Sequence, residues 1–245
     1  MRRAERRERG GAVTRAFVAG ATGYTGREVV AALCEREIET TAHVRPDSKR
    51  IEEFRKEFVG LGATVDVSEW QADILSNRLR ALAPDYVFAL LGTTKKRMAA
   101  SSADESYDSV DYGLSAMLLR AAMQCEVVPR FVYLSAAGVT AQSRGAYYKA
   151  RARMEAELVA SGAPYVIARP SFITGDRSEP RPGESVGAAL ADAALGVVSA
   201  FGGRRVAQRY RSMTARQLAQ GLVRSVLRVS GHGVILEAED LRRID

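Results

Sequence analysis

The chain has 245 residues, 47% of them hydrophobic, and a formal net charge of +7. That length buries a sizeable core within one large α/β unit, and no apolar run approaches the ~20 residues of a membrane span. Two cysteines (Cys34, Cys125) and two histidines (His43, His232) argue against a disulfide framework or a structural metal site, and point to a reduced, cytoplasmic protein.

The first nine residues hold five arginines against two glutamates, which supplies three of the seven net charges. Residues 1–12 read as a disordered basic tail, either a nucleic-acid arm or a solvated extension. The remainder, 13–245, reads as a single domain.

Strand and helix patterns then alternate. A short apolar run over 16–19 reads as a buried strand, and Gly20-Ala21-Thr22-Gly23-Tyr24-Thr25-Gly26 follows it directly. Behind the glycines a helical pattern runs over 26–35. A glycine turn between strand and helix offers free backbone N–H groups and a positive helix end to a phosphate. Gly20 permits the tight turn, Gly23 lets a pyrophosphate approach, and Gly26 lets helix and strand pack closely. This setting predicts dinucleotide binding.

Further strands are predicted over 40–44, 64–67, 86–90, 131–134 and 165–168, with helices over 48–58, 76–83, 103–125 and 146–161. After Pro170 come an irregular Pro/Gly loop, helices over 184–200 and 215–229, and a short strand over 234–237. Thr214 and Gln217 have the spacing of a capping box for the later helix. The pattern predicts a Rossmann-type doubly wound parallel sheet, with a small C-terminal region over its carboxyl edge covering the substrate. His43, in a strand-like run, is expected to be packed or hydrogen-bonded.

The residue after the second strand discriminates between cofactors. An acid there bonds the ribose hydroxyls, whereas a base accommodates a 2′-phosphate. Arg45 occupies the position, so NADP is expected ahead of NAD. Arg45 and Lys49 also suit a solvated helix start, with Ser48 as its N-cap or as a phosphate ligand. Asp73 with Ile74 stands where a carboxylate can meet the adenine amino group, and Asp66 is its rival. Leu91, Gly92 and Thr93 form a loop of small residues that must pass close to the cofactor. Lys95-Lys96-Arg97 adds three cations, for an anionic substrate, for the cofactor phosphate, or as an exposed loop.

The glycine motif, Leu91-Gly92-Thr93-Thr94 and Arg169-Pro170-Ser171-Phe172 together resemble the atypical short-chain dehydrogenase/reductases, in particular the Tat-interacting-protein-like and NmrA-like NAD(P)H-binding oxidoreductases. The resemblance spans about residues 15 to 242. It implies NADP extended along the sheet edge, and a catalytic tyrosine and lysine four residues apart on one helix with a preceding serine. Residues at that spacing share a face, so the cation lowers the phenol pKa while the tyrosine moves the proton that accompanies hydride transfer. Tyr147 takes the tyrosine position, but Arg151 stands four residues on, and Lys149 is only two away. Ser135 lies slightly early for the serine, whose place Ala137 holds. The implied roles are acid/base for Tyr147, ribose contact for Arg151, and substrate contact for Ser135 or Thr93.

Three functions remain open: an NADP-dependent oxidoreductase on a small carbonyl substrate, a non-catalytic NADP(H)-binding regulator, and a distant nucleic-acid-binding reading resting on the tail and on Arg204, Arg205, Arg209 and Arg211. No membrane partner is expected. In many members of the resembled group the two long helices form a homodimer face.

Overall fold

Phe17, Val18 and Ala19 are fully buried in β1 (Arg15–Ala19), although neighbouring side chains of a strand point to opposite faces. A strand buried on both sides belongs inside a parallel sheet sandwiched by helices. The computed structural model describes residues 13–93, 106–174, 212–228 and 230–243.

After β1 the chain forms α1 (Tyr24–Cys34), β2 (Glu39–His43), α2 (Ile51–Gly60), β3 (Thr64–Asp66), α3 (Ala72–Leu82) and β4 (Tyr86–Ala89). A π-helical segment, Tyr107–Leu114, runs directly into α4 (Ser115–Ala122). Then come β5 (Arg130–Leu134), α5 (Ala146–Ala160), β6 (Tyr165–Arg169), the short strands β7 (Ile173–Thr174) and β8 (Met213–Thr214), α6 (Ala215–Arg228), β9 (Gly233–Glu237) and α7 (Ala238–Arg243).

Seven strands form one parallel sheet in the order β3-β2-β1-β4-β5-β6-β9. The order reverses between β1 and β4, so their diverging connections open a crevice at the carboxyl edge. One row of paired residues, Ala42, Val18, Phe88, Val132, Val166 and Val234, crosses the sheet in register. All but the last are buried on the face covered by α1, α2 and α6, while Phe17, Val87, Phe131, Tyr133 and Ile167 pack on the opposite face against α3, α4 and α5. This is the Rossmann-like α/β fold expected.

Several boundaries differ from expectation. Helix α3 begins at Ala72, which places Asp73 and Ile74 inside its first turn and not in a loop after β3. Helix α2 begins at Ile51, so Ser48 is not its N-cap; the Ser48 hydroxyl instead accepts the Arg50 amide at 3.4 Å. The single long helix predicted over 103–125 is, from Tyr107, a π segment joined to a shorter α-helix. Nor do residues 215–243 lie over the carboxyl edge: α6 covers one sheet face, and β9 extends the sheet beside β6. The capping box is present, with the Thr214 hydroxyl accepting the Gln217 amide at 3.1 Å and the Gln217 side chain accepting the Thr214 amide at 3.0 Å. The basic tail, Lys95 to Arg97, the helix over 184–200 and the arginines from Arg177 to Arg211 lie outside the described residues.

Candidate cofactor site

The glycine turn sits at the reversal point. Gly20 has φ +79°, and a Cβ there would lie 2.5 Å from the Leu90 carbonyl oxygen, so β1 and the β4 loop cross with backbone touching backbone. The Gly23 amide closes the turn onto the Gly20 carbonyl at 3.0 Å. A Cβ on Gly26 would fall 2.1 Å from the Gly20 oxygen, which only glycine avoids. Gly23 caps α1 without any side-chain hydrogen bond, and the first turn carries no acid. The leading amides of α1 therefore face outward with the helix dipole behind them, a cradle that fits a pyrophosphate. Thr25 is buried beneath the turn and Thr22 half-buried. The Tyr24 hydroxyl donates to the Thr174 carbonyl at 3.2 Å, joining the turn to β7.

On the β2–β3 side, Arg45 is exposed just past the end of β2, with Nε 3.6 Å from Asp47. Asp66 ends β3 and is buried, accepting the Ser68 amide at 3.0 Å and pairing with Arg78. Burial pushes its carboxyl up, but the Ser68 and Arg78 hydrogen bonds outweigh that and hold it below the usual range. Asp73 is exposed on α3. His43 packs edge-on against Trp70 at 5.2 Å and bonds the Ser68 carbonyl at 2.8 Å, which matches its expected structural role.

On the β4–β6 side, Leu91, Gly92 and Thr93 follow β4, and the Thr93 amide donates to Asp111 at 2.9 Å. Tyr147 lies in the first turn of α5, edge-on to Tyr107 at 5.4 Å, with the Arg151 guanidinium 4.8 Å over its ring centre. Arg151 is buried in an ion pair with Asp111 at 2.8 Å and also donates to the Leu134 carbonyl. Burial works against both charges. Desolvation raises the Asp111 carboxyl, while Asp111 and the neighbouring tyrosines more than offset the penalty on Arg151, which stays protonated. The Ser135 hydroxyl donates to Glu155 at 2.5 Å, and Glu155 binds Arg169 through both oxygens at 2.5 and 3.0 Å. Arg169 continues to Glu237 at 3.3 Å.

The structure thus brings together the glycine turn, the β4 loop, Tyr147 and Arg151, while Ser135 is drawn into a buried ionic network. Asp111, Glu155 and Arg169 had no assigned role in the sequence reading. One signal was present for Glu155: it lies four residues after Arg151 on the same helix face.

A family model described as NAD(P)H-binding matches residues 20–182, more than half of the chain. Among curated proteins, "Protein fmp52, mitochondrial" of Aspergillus clavatus is 29% identical over 192 residues, covering 76% of this chain and 74% of that protein. The Aspergillus fumigatus protein of the same name is 28% identical over 171 residues, covering 68% and 69%. Among solved structures, the Bordetella bronchiseptica enzyme WbmH in complex with NAD+ shares the fold with TM-score 0.60 at 20% identity, covering 90% of this chain and 74% of that one. The chain belongs to this NAD(P)H-binding family, and the Rossmann-like fold that the resemblance implied is borne out. The expected cytoplasmic location is corrected: the curated relatives are named mitochondrial, and two unpaired cysteines do not choose a compartment.

Proposed function

Because the chain belongs to the NAD(P)H-binding family, we propose that it binds NADP(H) along the carboxyl edge of its sheet and acts as an oxidoreductase on a small carbonyl substrate. The uncapped α1 terminus behind the glycine turn is the observation that carries the reading. The pyrophosphate would rest on the amides after Gly23, and Arg45 would meet the 2′-phosphate. Asp73, exposed on α3, would meet the adenine amino group, since Asp66 is buried and already holds the Ser68 amide and Arg78. When bound, the nicotinamide supplies or accepts the hydride.

Tyr147 would give or take the accompanying proton, with the Arg151 guanidinium 4.8 Å from the centre of its ring. Arg151 is not free to hold a ribose as the resemblance implied, since two of its nitrogens are committed to Asp111 and Leu134. Thr93, whose buried hydroxyl has no hydrogen-bond partner among the described residues, replaces Ser135 as the group to steady the substrate oxygen. Calorimetric titration with NADPH and NADH tests the cofactor assignment. Arg45→Ala is expected to weaken NADPH binding by about 10–100-fold, the loss of one charge-assisted contact, and to leave NADH unchanged. Equal binding of both cofactors by the wild type would reject the 2′-phosphate role.

A second reading, an NADP(H)-binding regulator without turnover, is favoured by the commitment of Ser135 to Glu155. It is separated from the first by NADPH consumption across a carbonyl panel, which a Tyr147→Phe variant should abolish only in an enzyme. The names of the relatives make mitochondria the setting to check, by cell fractionation.

A further inference from the structure

Asp111 is 0% exposed, yet it lies on a connecting segment and not in the sheet core. Its two carboxylate oxygens serve different elements: one accepts Arg151 Nη2 on α5 at 2.8 Å, the other the Thr93 amide of the β4 loop at 2.9 Å. Gly92 runs directly over this pair. A Cβ there would lie 3.1 Å from Arg151 Nη2 and 3.4 Å from Asp111 Oδ1, so the loop backbone is laid against the ion pair. Arg151 Nη1 is occupied by the Leu134 carbonyl at the end of β5. With both prongs taken, the guanidinium carbon sits 4.8 Å from the centre of the Tyr147 ring.

The segment that carries Asp111 is π-helical, a rare geometry that collects at functional sites. In a dinucleotide fold whose strand order reverses between β1 and β4, one nucleotide half lies over β1 to β3 and the other over β4 to β6. The glycine turn and Arg45 give the adenosine half to the first side. The elements joined by Asp111 all belong to the second.

We propose that Asp111 is the positioning residue of the nicotinamide half-site, fixing the β4 loop and the Arg151–Tyr147 stack relative to one another while taking no part in adenosine recognition. This rests on the NADP(H) reading above. Asp111 replaces direct ribose capture by a lysine with an arginine held by its own counter-ion, and thereby explains why an arginine is tolerated four residues after Tyr147.

The test uses two probes, NADP+ and 2′,5′-ADP, the second lacking the nicotinamide half. Asp111→Asn keeps one carbonyl oxygen for the Thr93 amide but turns an amide donor toward the guanidinium. It is expected to bind 2′,5′-ADP within about twofold of wild type and NADP+ about tenfold more weakly. Because that substitution leaves a buried arginine without its counter-ion, it can also unfold the protein. The double variant Asp111→Asn with Arg151→Met removes the stranded charge and is expected to show the same split. An equal loss for both probes, or unchanged NADP+ binding in the double variant, would overturn the role of Asp111. Wild-type protein that binds neither probe would overturn the NADP(H) reading itself, and this inference with it.

Discussion

Gly26 shows how one hydrogen in place of a methyl group shapes the site. Its Cα lies where any larger residue would strike the Gly20 carbonyl oxygen and the Ala21 backbone, and neither can retreat without moving β1 or α1. Gly26→Ala is therefore expected to lower the melting temperature and to weaken NADP(H) binding by at least about tenfold, read by thermal shift and calorimetry. Ser135 and Glu155 make an instructive pair. Removing the hydroxyl leaves Glu155 bidentate on Arg169, so Ser135→Ala should cost about 1 kcal/mol. Glu155→Gln leaves Arg169 with Glu237 as its remaining acid in that network and should cost about 3 kcal/mol by urea denaturation. Similar costs for the two would show that the network contributes little.

At the scale of elements, the parallel strands were legible to within a residue or two, most plainly β1, β4, β5 and β6, whose buried stretches are apolar runs. Their helices were legible by face, with boundaries that drifted wherever the start signal was weak. α2 lacks a side-chain cap, and the expected start at Ser48 failed there. Where a reciprocal cap exists, at Thr214 and Gln217, the start of α6 was located correctly. Thr214→Ala should accordingly reduce stability by about 1 kcal/mol with an unchanged denaturant slope, and an unaltered midpoint would mean that α6 is held by packing alone. The start of the π segment is marked by a reciprocal cap between Ser106 and Ser109, but nothing in the sequence marks its π register. Asp111 reaches a residue forty positions away, and Ser135 one twenty positions away. Spacing rules read neighbours on one helix. They do not see which buried cation will claim which acid across the sheet.

For the molecule as a whole, pH acts through a buried histidine at the carboxyl end of β2, two residues before Arg45. Burial holds the His43 imidazole below 6.5, against the opposing pull of the Ser68 carbonyl and Asp66. The unfolded chain takes up a proton as pH falls through 6.5, while the folded chain resists it. The contribution of neutral His43 is thus fully present above 6.5 and is lost as pH falls below it, by at most about 1.4 kcal/mol per pH unit. Denaturation midpoints at pH 7.5 and 5.5 should differ more in wild type than in His43→Gln. Parallel changes in both proteins would assign the acid sensitivity to other groups.

The sheet order has a consequence for biosynthesis. β6 is flanked on one side by β5, thirty-odd residues earlier, and on the other by β9, which leaves the ribosome more than sixty residues later. Throughout that interval the outer edge of β6 presents unsatisfied amides and carbonyls to any extended chain nearby. Gly233 then seats against the Tyr165 ring, where a Cβ would come within 2.3 Å and the ring would have to shift. A ribosome stalled between β6 and β9 would release a nascent chain with an adhesive flank, a vulnerability written into the topology and borne by the cell's chaperones.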